Sequence, residues 1–310
     1  LVRSRGLGDV YKRQLKRSIY LWKHLKHLGN IPIRNLSKSR LRTELVKIYM
    51  DKGSATGEKA KVLMGMIYGY AEMNEYVPRN IVRDFANDPI LRKPKASDVK
   101  SHPYIIDEDT GKTYYLLQIG KASLSNKYFI RVLSYTALRV GSLIGLKWSD
   151  YNEVKSVLMI PKELVKNRKS IECPMPYQAK QYLAELQQLQ KDIQGKRWNH
   201  DMPIFSDTGD KPLQHAAVSK YLGRIQQRND LPHSVLHGFR TQALIYWSKN
   251  KCVDAAVRLQ MDHSVLGTSS VQSRYLGEEQ YFSERFEMVQ MLANYIDEQV
   301  SKYRDTLADQ

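Results

Sequence analysis

The sequence predicts a mainly α-helical chain with a minor β component (α+β): a small helical domain, then a larger, mostly helical domain carrying a β-hairpin. Three observations predict it. Apolar residues recur at helical spacing through most of the 310 positions. One stretch, SVLMIPKELVKNRKSIECPMP at 156–176, reads instead as two short strands around a polar, basic turn. Between the two parts, DPILRKPKASDVKSHP at 88–103 has the Pro, Ser and Lys content of a linker. The expected domains are therefore 15–95 and 104–310, with 96–103 joining them. Residues 1–14, LVRSRGLGDVYKRQ, lack an apolar helical face and an initiating Met. They read as a non-native leader, with the natural protein expected to extend further upstream.

In the first domain, Ser37 suits a helix cap, and Leu41, Leu45, Ile48 and Tyr49 follow at helical spacing to Lys52. A second helix is expected over 55–74, with Val62, Leu63, Met66, Ile67 and Tyr70 as its core face. A short third helix begins at Asn80. In the second domain Asp-Glu-Asp-Thr-Gly at 107–111 reads as a tight turn, with helices expected at 115–122 and 127–138. Arg139 ends the latter, Gly141 opens a turn, and Leu143, Leu146 and Trp148 resume a buried face. After the hairpin come helices at 177–195 and 216–228. A final helix at 280–303 places Phe286, Val289, Leu292, Ile296 and Val300 on one side.

Composition narrows the function classes. The formal net charge is +17, with Lys and Arg recurring through the first 250 positions, which favours a polyanionic partner. Nucleic acid fits this spread better than a membrane surface does. No apolar run approaches the ~20 residues that cross a bilayer, and no stretch has the form of a secretory signal. Two cysteines, Cys173 and Cys252, stand far apart and without partners at metal-ligand spacing. A cytoplasmic protein without a cofactor or metal is expected.

The chemistry-bearing residues concentrate in PHSVLHGFRTQALIYWSKNKCVDAAVRLQMDHSVLGTSSVQSRYLGEEQYFSER, at 232–285. His237 and Arg240, three apart at the start of an apolar helix, can reach a single anionic group. His263 and Tyr275 follow from separate turns and can close the same site. A phosphate held by such a set suits nucleophilic attack by a phenol, which further needs a second cationic anchor and a proton donor upstream. Arg139, emerging from an apolar setting, is either a buried structural ion-pair member or that second anchor. Lys162, Lys166, Arg168 and Lys169 on the hairpin turn are the donor candidates.

As a set, Arg139 in TALRVGSLIGLKW, Lys166 in IPKELVKNRK, His237 and Arg240 in HGFR, His263 in LQMDHS and Tyr275 in SRYLGEEQYFSER resemble the tyrosine recombinases, the phage-type integrases. The terminal segment most resembles integrases of satellite phages and genomic islands. The resemblance covers roughly residues 15–310. It implies a helical core-binding domain that clamps duplex DNA together with a catalytic domain, and strand cleavage through a 3′-phosphotyrosine without metal or ATP. Arg139 and Arg240 would hold the phosphate, and Tyr275, rather than Tyr281, would be the nucleophile. Lys166 would protonate the leaving 5′-oxygen, His237, rather than His233, would move the tyrosine proton, and His263 would hold a phosphate oxygen. It also implies a homotetramer on attachment sites, assisted by DNA-bending and excisionase factors, with the last helix docked on its own domain or on a neighbouring protomer. The alternatives are a type IB topoisomerase-like relaxing enzyme and a non-catalytic DNA-binding remnant of an integrase. Three departures stand out. Ser142 occupies a position, three after Arg139, that is usually acidic in the family; the hairpin has Ser170-Ile171-Glu172 where a His or other basic residue is often found; and the resemblance does not extend to the amino-terminal arm-binding domain usual in this subgroup.

Overall fold

The computed structural model describes residues 15–92, 101–165, 170–262 and 281–309. The chain divides into two compact units, 1–100 and 101–310.

The first unit is built on two antiparallel-connected helices that follow a short helix α1 over 15–22. Helix α2 spans Lys38–Lys52, and the Ser37 side chain accepts from Arg40 N at 3.2 Å, capping it. Leu41, Leu45, Ile48 and Tyr49 are buried, as their spacing predicts. Gly53, at φ +82°, ends α2 and leads directly into α3, Ser54–Met73.

The core face of α3 differs from the expected one. Val62, Met66 and Tyr70 are 51%, 58% and 61% exposed, whereas Gly57, Ala60, Leu63, Met64, Tyr68 and Ala71 are buried. Backbone approach is the reason. A Cβ on Gly57 would collide with the Tyr49 ring, so the small residues of α3 mark the side that meets α2. Leu63 and Ile67 of the expected face do meet the core, but Val62, Met66 and Tyr70 do not. Asn80 accepts from Val82 N at 3.0 Å and opens the expected third element, a 3-10 helix at Ile81–Phe85.

In the second unit, the Asp-Glu-Asp-Thr-Gly run is not a turn but the first turn of helix α4, Asp107–Ile119. Three carboxylates there complement the positive end of the helix dipole. Gly111 serves close packing instead of a bend: a Cβ would strike the Gln299 backbone of the last helix. Helix α5, Leu124–Thr136, is capped by Ser123 and ends at Ala137 in the left-handed region (φ +52°). Arg139 is extended and starts the short helix α6, Val140–Ile144, so Gly141 lies within a helix and not at a turn. Leu143, Leu146 and Trp148 are buried as expected.

A three-stranded antiparallel sheet follows, ordered β1 (Tyr151–Asn152), β2 (Val157–Ile160), β3 (Ile171–Pro174). The β2–β3 pair is the expected hairpin, with Val157 opposite Pro174 and Ile160 opposite Ile171. The two-residue β1 is an addition too short to leave a period-2 pattern. Helices α7 (Tyr177–Gln194), α8 (His215–Arg228), α9 (Gly238–Lys249) and α10 (Asp254–Gln260) surround the core with α4 and α5.

The last helix, α11, runs Phe282–Ala308. It packs on its own unit: Met288, Val289, Leu292, Ala293 and Ile296 are buried against that core. Trp247 Nε1 donates to Met288 O at 2.8 Å, and Tyr135 Oη donates to Asp297 Oδ1 at 2.7 Å.

Candidate active site

Three of the six sequence-predicted residues, Arg139, His237 and Arg240, lie among the described residues, and the fold brings them together. Lys166, His263 and Tyr275 fall outside the described residues. Their described neighbours are informative nonetheless. Ser142 Oγ donates to Leu164 O at 2.6 Å, and a Cβ on Gly145 would press on the Leu164 side chain at 2.7 Å. The chain just before the hairpin turn is thereby fastened to α6, directly beyond Arg139. Asp262, the residue preceding His263, contacts Arg139 itself.

Arg240 sits in the first turn of α9 and is only 4% exposed. Its Nη1 donates to Ala137 O, and its Nη2 to Met261 O at 2.7 Å. Both acceptors are neutral carbonyls at chain reversals. Ala137 adopts its left-handed conformation at the end of α5, and Met261 closes α10. Burial first, and then the positive charge of Arg139, pull the Arg240 guanidinium down to about 10, which leaves it charged at neutral pH.

Arg139 is more open, with its side chain 27% exposed. Its Nη1 donates to the Asp262 carboxylate, and its Nη2 approaches Asp262 O at 3.5 Å. Met261 and Asp262, adjacent in sequence, therefore take one arginine each. Asp262 has φ +50°, and the left-handed turn lets consecutive residues address two guanidiniums.

His237 stands at the N-cap position of α9, without a side-chain capping bond, and is exposed, whereas Arg240 three residues on is buried. The expectation that both present one common face holds only at the helix start. Partial desolvation by packed neighbours, then the charges of His102, Arg240 and Arg139, lower the His237 pKa below its ordinary value. The imidazole is therefore neutral at neutral pH.

The His102 ring meets the His237 ring edge-on, with centroids 4.5 Å apart. This contact depends on a glycine. Val235 N donates to Pro103 O at 3.2 Å, and a Cβ on Gly238 would collide with that same carbonyl oxygen. The Gly of HGFR thus lets the 102–104 backbone lie on the first turn of α9.

A buried polar hub underlies the site. Gln260 Nε2 donates to Thr136 O at 2.7 Å and to Cys173 Sγ at 3.2 Å, while its Oε1 accepts from Arg285 Nε at 3.2 Å. Arg285, on α11, also donates to Glu172 O of β3. Four elements (α5, β3, α10 and α11) are cross-linked one residue away from the arginine clamp. Sequence reading missed Gln260, Asp262, Arg285 and His102. The signals were present but weak: a Gly inside a His-x-x-Arg box, and an Asp immediately before His263.

Comparison with known proteins follows the same lines. The profile of the Phage integrase family matches residues 109–278, more than half of the chain. The integrase of Shigella phage Sf6 is 24% identical over 276 residues, covering 88% of this chain and 67% of that protein. The chain thus spans about two thirds of that relative's length. Among solved structures, a lambda integrase tetramer bound to a Holliday junction superposes with a TM-score of 0.63 at 17% identity, over 86% of this chain and 72% of that one. The Tn1549 transposon integrase, in complex with circular intermediate DNA, gives a TM-score of 0.63 at 16% identity, over 88% and 93%.

Proposed function

The chain belongs to the phage integrase family, and from that premise we propose that it is a site-specific recombinase that breaks and rejoins duplex DNA through a covalent 3′-phosphotyrosine. One observation carries the reading: adjacent residues of a single turn, Met261 and Asp262, hold Arg240 and Arg139, two forked cations from distant parts of the sequence. Two guanidiniums at one site suit the non-bridging oxygens of a phosphodiester, each able to donate paired hydrogen bonds. The net charge of +17 provides for the rest of a duplex backbone.

In the proposed reaction, Tyr275 Oη attacks phosphorus and forms a P–O bond while the P–O5′ bond breaks. His237, neutral at neutral pH, accepts the phenol proton. Lys166 gives a proton to the departing 5′-oxygen. Arg139 and Arg240 offset the charge that builds on the non-bridging oxygens, with His263 hydrogen-bonded to one of them. Reversal with a new 5′-hydroxyl rejoins the strand. The phosphotyrosine keeps the bond energy, so this chemistry requires neither ATP nor a metal ion. By analogy with the lambda integrase tetramer on a Holliday junction, the working unit is a homotetramer on paired sites, with DNA-bending and excisionase factors setting direction.

The test uses a pool of suicide duplexes, each nicked beside a randomised core, incubated with the full chain in EDTA without ATP. The expected result is a covalent protein–DNA adduct that disappears in Tyr275→Phe. An adduct that survives in Tyr275→Phe and disappears in Tyr281→Phe moves the nucleophile. Tight binding without any adduct turns the reading to a non-catalytic remnant, and relaxation of plasmid without site preference turns it to a topoisomerase-like enzyme.

A further inference from the structure

We infer that Asp262 is the positioning carboxylate of the arginine pair, supplying from the end of α10 a negative charge that α6 lacks; as a role in strand cleavage this rests on the reading above. Helix α6 reads Val-Gly-Ser-Leu-Ile, without an acid, and its Ser142 hydroxyl is directed to Leu164 O at 2.6 Å. Ser142 therefore ties the hairpin base to α6 and does not orient Arg139. The Asp262 carboxylate, just past the end of α10, meets Arg139 instead, with its own side chain 10% exposed.

The geometry gives Asp262 two tasks. It sets where Arg139 sits relative to Arg240, because Met261 O holds Arg240 Nη2 at 2.7 Å one residue earlier in the same turn. The turn is itself fixed, with Asp262 N donating to Leu259 O at 3.0 Å and Gln260 anchored to Thr136 O. Asp262 also offsets the mutual repulsion of two guanidiniums in a partly desolvated place, where such repulsion is stronger than in water. A guanidinium carries five N–H donors, so contact with Asp262 and contact with a phosphate are compatible. Before DNA arrives, the carboxylate holds Arg139 in position and lessens the reorganisation left for the reaction. Asp262 touches no reacting atom; it acts through Arg139.

Asp262→Asn is the discriminating variant. It keeps the size and the tolerance of a left-handed backbone and removes only the charge. The first measurement needs no DNA: phenylglyoxal labelling of the full chain, with Arg139 followed by peptide mass spectrometry. Arg139 is expected to label severalfold faster in Asp262→Asn than in wild type, while labelling of Arg240 stays slow. The second measures affinity and cleavage separately on the suicide duplex pool. Asp262→Asn is expected to bind as tightly as wild type or tighter, having lost a negative charge near the phosphate, yet to cleave about 10- to 100-fold more slowly. Asp262→Glu, which restores the charge, is expected to recover part of that rate. A merely structural residue would lower affinity and rate together. Unchanged Arg139 labelling in Asp262→Asn overturns the clamp. Cleavage at the wild-type rate by a variant whose Arg139 labels faster overturns its role in catalysis. Absence of adduct from wild type itself counts against the recombinase reading, and the labelling then still decides whether Asp262 holds Arg139.

Discussion

The two arginines of the site stand in opposite environments. Arg240 is buried and bonded to two neutral carbonyls, so its full positive charge remains uncompensated by any contact described for it. Arg139 lies at the edge and is matched by a carboxylate. A buried guanidinium with neutral acceptors ties together the backbone segments that carry those carbonyls, and its charge is not neutralised by them. An edge guanidinium with an ionic partner is held in place by a contact that the fold can do without. The same residue type is thus held in two ways, and each way has its own expected signature on mutation.

The largest expected effect does not separate them: Arg139→Ala and Arg240→Ala should each lower suicide-substrate cleavage by about 10²–10³-fold, as loss of an oxyanion-stabilising donor does. Equal losses with unchanged DNA affinity would support a shared phosphate. A loss confined to Arg240 would break the pairing.

Stability should separate them. Arg240→Ala removes the donor from two buried carbonyls, Ala137 O and Met261 O, and is expected to cost roughly 2–4 kcal/mol in urea unfolding. Arg139→Ala should stay within about 1 kcal/mol, since the partly exposed ion pair contributes little. Equal destabilisation would contradict the assignment of Arg139 to the edge.

Gly238→Ala sharpens the comparison from the other side of α9. Its new methyl group meets Pro103 O, and the overpacking is expected to cost about 1–3 kcal/mol and to disturb the 102–104 segment. A chevron or equilibrium melt with no change would mean that the segment shifts aside freely.

The smallest effect concerns pH. His102, packed edge-on against His237, is one of the electrostatic influences that lower the His237 pKa, secondary to burial. Removing it in His102→Ala should raise that pKa, so His237 protonates at higher pH. If neutral His237 is the proton acceptor, the acid limb of the cleavage profile moves toward higher pH, and the basic limb stays where it was. A limb that moves toward lower pH would exclude this electrostatic link.

Much of this architecture was legible in local chemistry. Ser37 caps its helix, the Leu41–Tyr49 stripe is buried, and the hairpin strands pair as their composition suggests. Arg139 and the His237–Arg240 box were legible because charged groups at the edges of apolar helices are conspicuous. The face of α3 was not, because its contact side is made by Gly57 and Ala60, which carry almost no hydrophobic signal. Nor was the helical start of α4, where acids and a glycine read equally well as a turn.

By itself, then, the sequence determined most of the helical and extended segments, marked the residues proposed to carry phosphoryl chemistry, and set the net charge of +17 that favours a polyanionic partner. These follow from short-range periodicity, capping and net charge. The tertiary structure alone decided that Met261 and Asp262 hold two distant arginines, that Gly238 admits the backbone bringing His102 to His237, and that Gln260 links four elements. Such contacts join residues far apart in the chain through backbone carbonyls and close approaches, and neither leaves a periodic trace in the order of side chains.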